Sequence, residues 1–196
     1  MNRKTLRRSI LLVVLLLLVI YLFNNSGYSI IENNAIRNSH PFEDGQVLNE
    51  NDYEKKKVVI WKTNNGNYVK LIERKWGFLF HVSNVAVLQP MSPLIGNEGD
   101  IKRAWSASLN SKRMYETIFA VESDHPDIKR VIVSNDNIDN IIPDDLEEIK
   151  ENSTVYIELK LEDDFATAYR ELNTKDAGGF IFRGVNEKGE IIVLGR

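Results

Sequence analysis

The stretch Lys57-Val58-Val59-Ile60-Trp61-Lys62-Thr63, continued by Asn64-Asn65-Gly66-Asn67 and by Tyr68-Val69-Lys70-Leu71-Ile72-Glu73-Arg74, decides the fold class. Two runs rich in β-branched and aromatic residues flank an Asn-Gly pair, which tolerates the positive φ that a type I′ turn demands. The segment therefore predicts an antiparallel hairpin of strands 57–63 and 68–74.

Downstream, Trp76, Phe78, Phe80 and Val82 alternate with Gly77, Leu79, His81 and Ser83, which predicts a third strand with its aromatics on one core-facing side. A short strand over 85–89 leads into PMSPLIGNEGD (90–100), where two Pro and two Gly mark a loop and a boundary between subdomains. Further strands are predicted over 103–109, 115–121, 128–134, 155–161, 165–172, 179–185 and 190–194, separated by polar turns such as Ser123–Asp127 and Asn186–Gly189. One helix is expected over 144–151, with Pro143 at its first turn, acidic residues near its start and Lys150 near its end. The fold class implied is mainly β: an N-terminal transmembrane helix, an antiparallel β-meander over 46–89, and an Ig-like β-sandwich with one short helix over 100–196.

Upstream of the hairpin, Ile10 to Phe23 reads ILLVVLLLLVIYLF, fourteen apolar residues preceded by Arg3, Lys4, Arg7 and Arg8. As a helix this run spans about 21 Å, short of a ~30 Å hydrocarbon core, a length that suits a signal peptide. The following NNSGYSIIENNA offers no small-x-small cleavage site, and without cysteine no lipidated N-terminus is available. Ser9 and Asn24 extend the span, while Arg7 and Arg8 can snorkel to the headgroups. The expectation is a cytoplasmic tail over 1–8, an uncleaved anchor over 9–24 and a linker over 25–45. Release after cleavage, with a mature start near residue 27 or 35, is the competing outcome. Ser29 and Glu32 have capping-box spacing and suggest a short helix ending near Asn38; a floppy stalk fits equally well.

The charge bias places the C-terminal region outside the cell, because basic residues cluster before the apolar run. The chain has 25 basic and 28 acidic residues for a net charge of −3, and removing the four leading basic residues leaves the exported part more acidic still. Such a domain lacks the clustered Lys and Arg that nucleic acid or an anionic membrane surface requires. The absence of Cys suits an exported domain that does without disulfides.

The common nucleophile, phosphate-loop and metal motifs are missing, so no catalytic, cofactor-binding or metal-binding residue is assigned from motifs, and no cofactor is expected. His40 and His125 precede prolines in turns and read as solvated loop residues. His81, on the strand face opposite the aromatics, could act as a base if a neighbouring strand supplied an acid. Asn135 to Asn140 resembles the start of a calcium loop but lacks Gly at the sixth position and an acid at the twelfth. Asp163 and Asp164 read as a turn. Trp61, Trp76 and Trp105 could form a ligand platform; register with Phe78 and Phe80 assigns Trp76 to a core.

The segments KTNNGNYVKLIERKWG, ETIFAVESDHPDIKRVIVSNDNIDNII and GFIFRGVNEKGEIIVLG resemble those of small membrane-anchored or exported proteins of Bacillus-type bacteria, over residues 55–196. That resemblance implies an envelope location and a β-rich domain, with no activity attached. The function expected is a membrane-anchored envelope protein whose exported domain is a non-enzymatic module binding an envelope protein or cell-wall component. The alternative is a wall- or peptide-directed enzyme centred on His81.

Overall fold

Residues 57–74 form the hairpin their sequence requires, and both of its faces are covered. The computed structural model describes residues 3–136 and 145–196. A first sheet contains β1 (Tyr28–Ser29), β2 (Gln46–Tyr53), β3 (Lys56–Thr63), β4 (Gly66–Lys75) and β5 (Leu79–Val87), in the order β1-β5-β4-β3-β2. A central sheet holds β6 (Gln89–Pro90), β8 (Lys102–Leu109), β9 (Tyr115–Glu122) and β12 (Phe165–Leu172), ordered β12-β9-β8-β6. A third sheet orders β7 (Pro93–Ile95), β10 (Arg130–Ser134), β11 (Tyr156–Lys160), β13 (Ile181–Val185) and β14 (Ile191–Gly195) as β11-β10-β13-β14-β7. Every strand pairing among the described residues is antiparallel. The helices are α1 (Arg3–Asn25), α2 (Glu32–Arg37) and α3 (Leu146–Glu151).

The sheets stack in sandwich fashion, and strand periodicity distributes one strand between two cores. In β9, Ile118 and Ala120 pack against Val58, Ile60, Val69 and Leu71 of the first sheet. Its intervening residues Phe119 and Val121 pack against Val131, Val133, Phe182 and Val193 of the third. The unbroken Ile-Phe-Ala-Val run is what a strand buried on both faces needs. β3 is divided similarly: Val58 and Ile60 face the central sheet, while Val59 and Trp61 join Ile72 and Ile36 of α2 in a further core. The layers are thus α2, first sheet, central sheet and third sheet. Polar ties cross the first interface: Asn51 donates to the Thr167 hydroxyl at 2.8 Å, and Lys56 pairs with both Glu73 and Glu116.

Several local expectations are corrected. In the turn at 63–66, Gly66 has the positive φ (138°) and Asn64 and Asn65 do not; the Thr63 hydroxyl braces it, accepting from the Asn65 amide (3.1 Å) and donating to the Gly66 carbonyl (3.1 Å). The chain instead turns with two positive φ values at Trp76 (51°) and Gly77 (81°), joining β4 to β5. Trp76 and Phe78 are therefore exposed, 83% and 54%, and do not share the face of Phe80. Strand β5 is continuous where two strands were expected, its register shifted by a bulge opposite Leu71 and Ile72. β2, whose side chains show no apolar alternation, escaped the sequence reading. Residues 26–45 are not a floppy stalk: Ala35 and Ile36 are buried, and Trp61 Nε1 donates to the Glu43 carbonyl. The helix starts after Ile31 without a side-chain cap, and Ser29 accepts from the Ile31 amide instead. α3 is capped by Asp145, which accepts from the Glu147 amide; Pro143 and Asp144 lie outside the described residues.

Helix α1 has 23 residues, and its described apolar side chains are exposed, Leu11 at 68% for example. Among the described residues no helix is long and apolar enough to cross a membrane. The side chains of residues 16, 19, 20, 22 and 23 within the apolar run lie outside that description.

Candidate functional site

A cleft of about 1030 Å³ opens where β1, the segment after α2 and β5 meet, lined by residues that include Tyr28, Asn38, Ser39, His40, His81 and Val85. Each wall has a local cause. Gly27, at φ 71°, turns the chain from α1 into β1, where Tyr28 pairs with His81 and Ser29 with Phe80. Burial of Ile36 against Val59, Trp61 and Ile72 pins α2, so residues 38–42 form the opposite wall.

Behind Ser39, beneath the cleft lining, lies Lys70. In β4, Val69 and Leu71 point to the central sheet, so Lys70 and Ile72 point toward α2. Lys70 is fully buried. Its Nζ lies 2.9 Å from Ser39 Oγ, 2.8 Å from the Ile36 carbonyl and 3.4 Å from the Ser39 carbonyl, and sits 5.7 Å from the Trp61 ring centroid. Among the described residues none of its partners is a carboxylate. Burial therefore lowers its pKa to about 8. Ser39 Oγ also lies 2.7 Å from the Ile36 carbonyl.

His81 lines the same cleft, half-buried, with its ring stacked on Tyr28 at 4.7 Å. Burial first, and then the nearby Lys75 charge, lower its pKa, against an opposing pull from Glu73. Among the described residues its Nδ1 has no hydrogen-bond partner. The acid that a His81-centred mechanism needs is not delivered among the described residues: Glu73, opposite it in register, pairs with Lys56 at 3.2 Å and Lys75 at 3.8 Å. His40 lines the cleft near Tyr68 and Phe42, whereas His125 lies in the β9–β10 connection and accepts from the Asp127 amide.

The tryptophans do not form a platform. Trp61 is buried, Trp105 packs edge-on against Phe180, and Trp76 stands alone at its turn. Asp163 and Asp164 both have positive φ and make the turn between β11 and β12. Of the calcium-like run, Asn135 and Asp136 are described, Asp136 being bound to Arg183; residues 137–140 lie outside the described residues. Among the described residues, no three His, Asp or Glu side chains gather to hold a metal ion.

Sequence reading missed Ser39 and Lys70. The available signal was the Val-Val-Ile-Trp run in β3: a strand without alternation is covered on both faces, so its neighbour's lysine must be buried. The described residues define a mainly β protein of three antiparallel sheets with a polar cleft next to its N-terminal helix. Compared with known proteins, the chain matches no family model, and no curated protein or solved structure is significantly similar to it.

Proposed function

We propose that this chain is an envelope protein anchored by α1, with residues 1–8 in the cytoplasm and an Ig-like β domain outside, and that the domain takes an envelope protein or cell-wall ligand in the cleft between β1, residues 38–42 and β5. The observation that carries this reading is the position of the cleft: its first wall, residues 26–29, follows α1 directly. A tether there would hold the cleft close to the bilayer surface. The apolar run Ile10 to Phe23 and the basic residues before it support the tether, although the run is short and needs its flanks to span the core. The acidic balance of the rest disfavours a nucleic-acid ligand.

Site-specific photocrosslinking in intact cells tests the reading. A crosslinker replacing Asn38, in the cleft, is expected to capture a discrete partner or wall fragment, while one replacing the exposed Lys188 on the β13–β14 turn captures none. Equal capture from both positions, or from neither, would contradict it.

A further inference from the structure

We infer that Ser39 is a nucleophile, with Lys70 as its general base, and that it acts on a carbonyl of an extended peptide laid along the open edge of β5. The inference rests on the reading of the cleft as the ligand site and names what happens there.

Geometry supplies the pair. The 2.9 Å between Lys70 Nζ and Ser39 Oγ is hydrogen-bond reach for a proton transfer. A serine needs a neighbouring base because its hydroxyl is weakly nucleophilic, and a lysine serves only when its neutral form is accessible. Two features make it so: Lys70 is sealed from solvent, and among the described residues it has no carboxylate to hold its proton. In the structure Lys70 Nζ donates to the Ser39 hydroxyl and to the Ile36 and Ser39 carbonyls, while Ser39 Oγ donates to the Ile36 carbonyl at 2.7 Å; a neutral Lys70 keeps the two carbonyl contacts and takes the hydroxyl proton once Ser39 turns it from Ile36 to Nζ. The Trp61 ring favours the cation in opposition, and desolvation outweighs it, consistent with a pKa near 8. The charged groups on the surrounding elements are neutralised elsewhere: Arg37 is paired with Asp44 at 2.7 Å, and Lys57 with Glu32 at 2.9 Å. The other titratable residues lining the cleft are Tyr28, His40 and His81.

The edge of β5 supplies the substrate class. Among the described residues β1 covers this edge only at Phe80 and His81, and the backbone beyond has no strand partner at the cleft wall. Val85 pairs with Lys70 on the other side, so the open edge runs at the level of the Ser39–Lys70 pair. An extended peptide adding to such an edge gains main-chain hydrogen bonds and passes its carbonyls across the cleft.

The reaction balances without a cofactor. Ser39 Oγ bonds to the carbonyl carbon as its proton passes to Lys70 Nζ. The bond to the leaving amine then breaks, and the amine takes that proton. Water, deprotonated by Lys70, attacks the acyl-serine; the carboxylic acid leaves and Ser39 recovers its proton. The net change is hydrolysis of one amide.

The test uses the full chain in detergent with a fluorophosphonate, whose P–F bond is replaced by a P–O bond to an activated serine. A single adduct is expected on Ser39 by intact mass and peptide mapping, with a labelling rate that rises through about pH 8. Labelling is expected to disappear in Ser39→Ala, to fall at least tenfold in Lys70→Met, and to persist in Ser111→Ala, at an exposed loop serine. Folded wild-type protein that gives no Ser39 adduct at pH 9, or a rate indifferent to pH between 6 and 9, would overturn the inference; the pH profile decides even where Lys70→Met fails to fold. Crosslinking from position 38 in the chain that keeps Ser39 separates the two readings. Capture retained while Ser39 takes no fluorophosphonate leaves the binding site and removes the nucleophile, whereas capture lost removes the binding site itself.

Discussion

Arg183 and Asp136 form a bidentate pair sealed from solvent, with guanidinium-to-carboxylate distances of 2.9 and 2.6 Å and side-chain exposures of 0% and 1%. The Ser134 hydroxyl contacts both partners, so the pair ties β10 to β13 beyond their backbone ladder. Removing one member leaves the other charged and buried, which costs about 3–5 kcal/mol. Asp136→Ala and Arg183→Met are each expected to lose stability of that order in urea unfolding. Replacing both by apolar residues is expected to cost less than the sum.

The same pair sets an acid limit. Burial alone would raise the Asp136 pKa, but hydrogen bonds from Arg183 and Ser134, with the guanidinium charge, outweigh it and hold the carboxyl below its usual range. A carboxyl depressed by folding contributes stability that is complete above its unfolded value, about 4, and that fades as pH falls through the lower folded value. The wild type should therefore lose its advantage over Arg183→Met below about pH 4, measured as the difference in urea midpoint between pH 7 and pH 3.

Trp76 offers a test of opposite sign. It occupies a left-handed turn position with its side chain 83% exposed, so little packing depends on it. Asn accepts that conformation more easily, and Trp76→Asn should leave stability unchanged or raise it by up to about 1 kcal/mol. A core tryptophan would cost about 3–5 kcal/mol on truncation, so thermal melting separates the two placements clearly.

Gly45 ends the segment that carries the cleft wall. A Cβ there would lie 2.1 Å from the Lys62 carbonyl and 2.9 Å from the Trp61 ring, neither of which can move without opening the β2–β3 edge. Gly45→Ala is expected to destabilise by about 1–3 kcal/mol, with quenched or shifted Trp61 fluorescence as the local readout.

Topology is directly accessible because the chain contains no cysteine. A single Lys188→Cys variant should react with a membrane-impermeant maleimide in intact cells, and Thr5→Cys only after lysis. The reverse pattern would place the β domain in the cytoplasm.

The strands and polar turns were legible because alternation and Asn, Asp and Gly clusters act locally. Stacking was less so: Ile118 and Phe119 belong to different cores, and a continuous apolar run does not say which sheets cover it. Trp76 misled because period-two spacing looked intact across a turn that only backbone geometry reveals. Ser39 and Lys70 are 31 residues apart and carry no motif; only the packing of Ile36 against Trp61 brings them together.

Activation of Ser39 depends above all on Lys70 being buried beside it without a carboxylate. Titration of its ¹⁵Nζ and ¹³Cε resonances, assigned by comparison with Lys70→Arg, measures this directly. A transition near pH 8 is expected. Titration together with the surface lysines, above about pH 10, would contradict it.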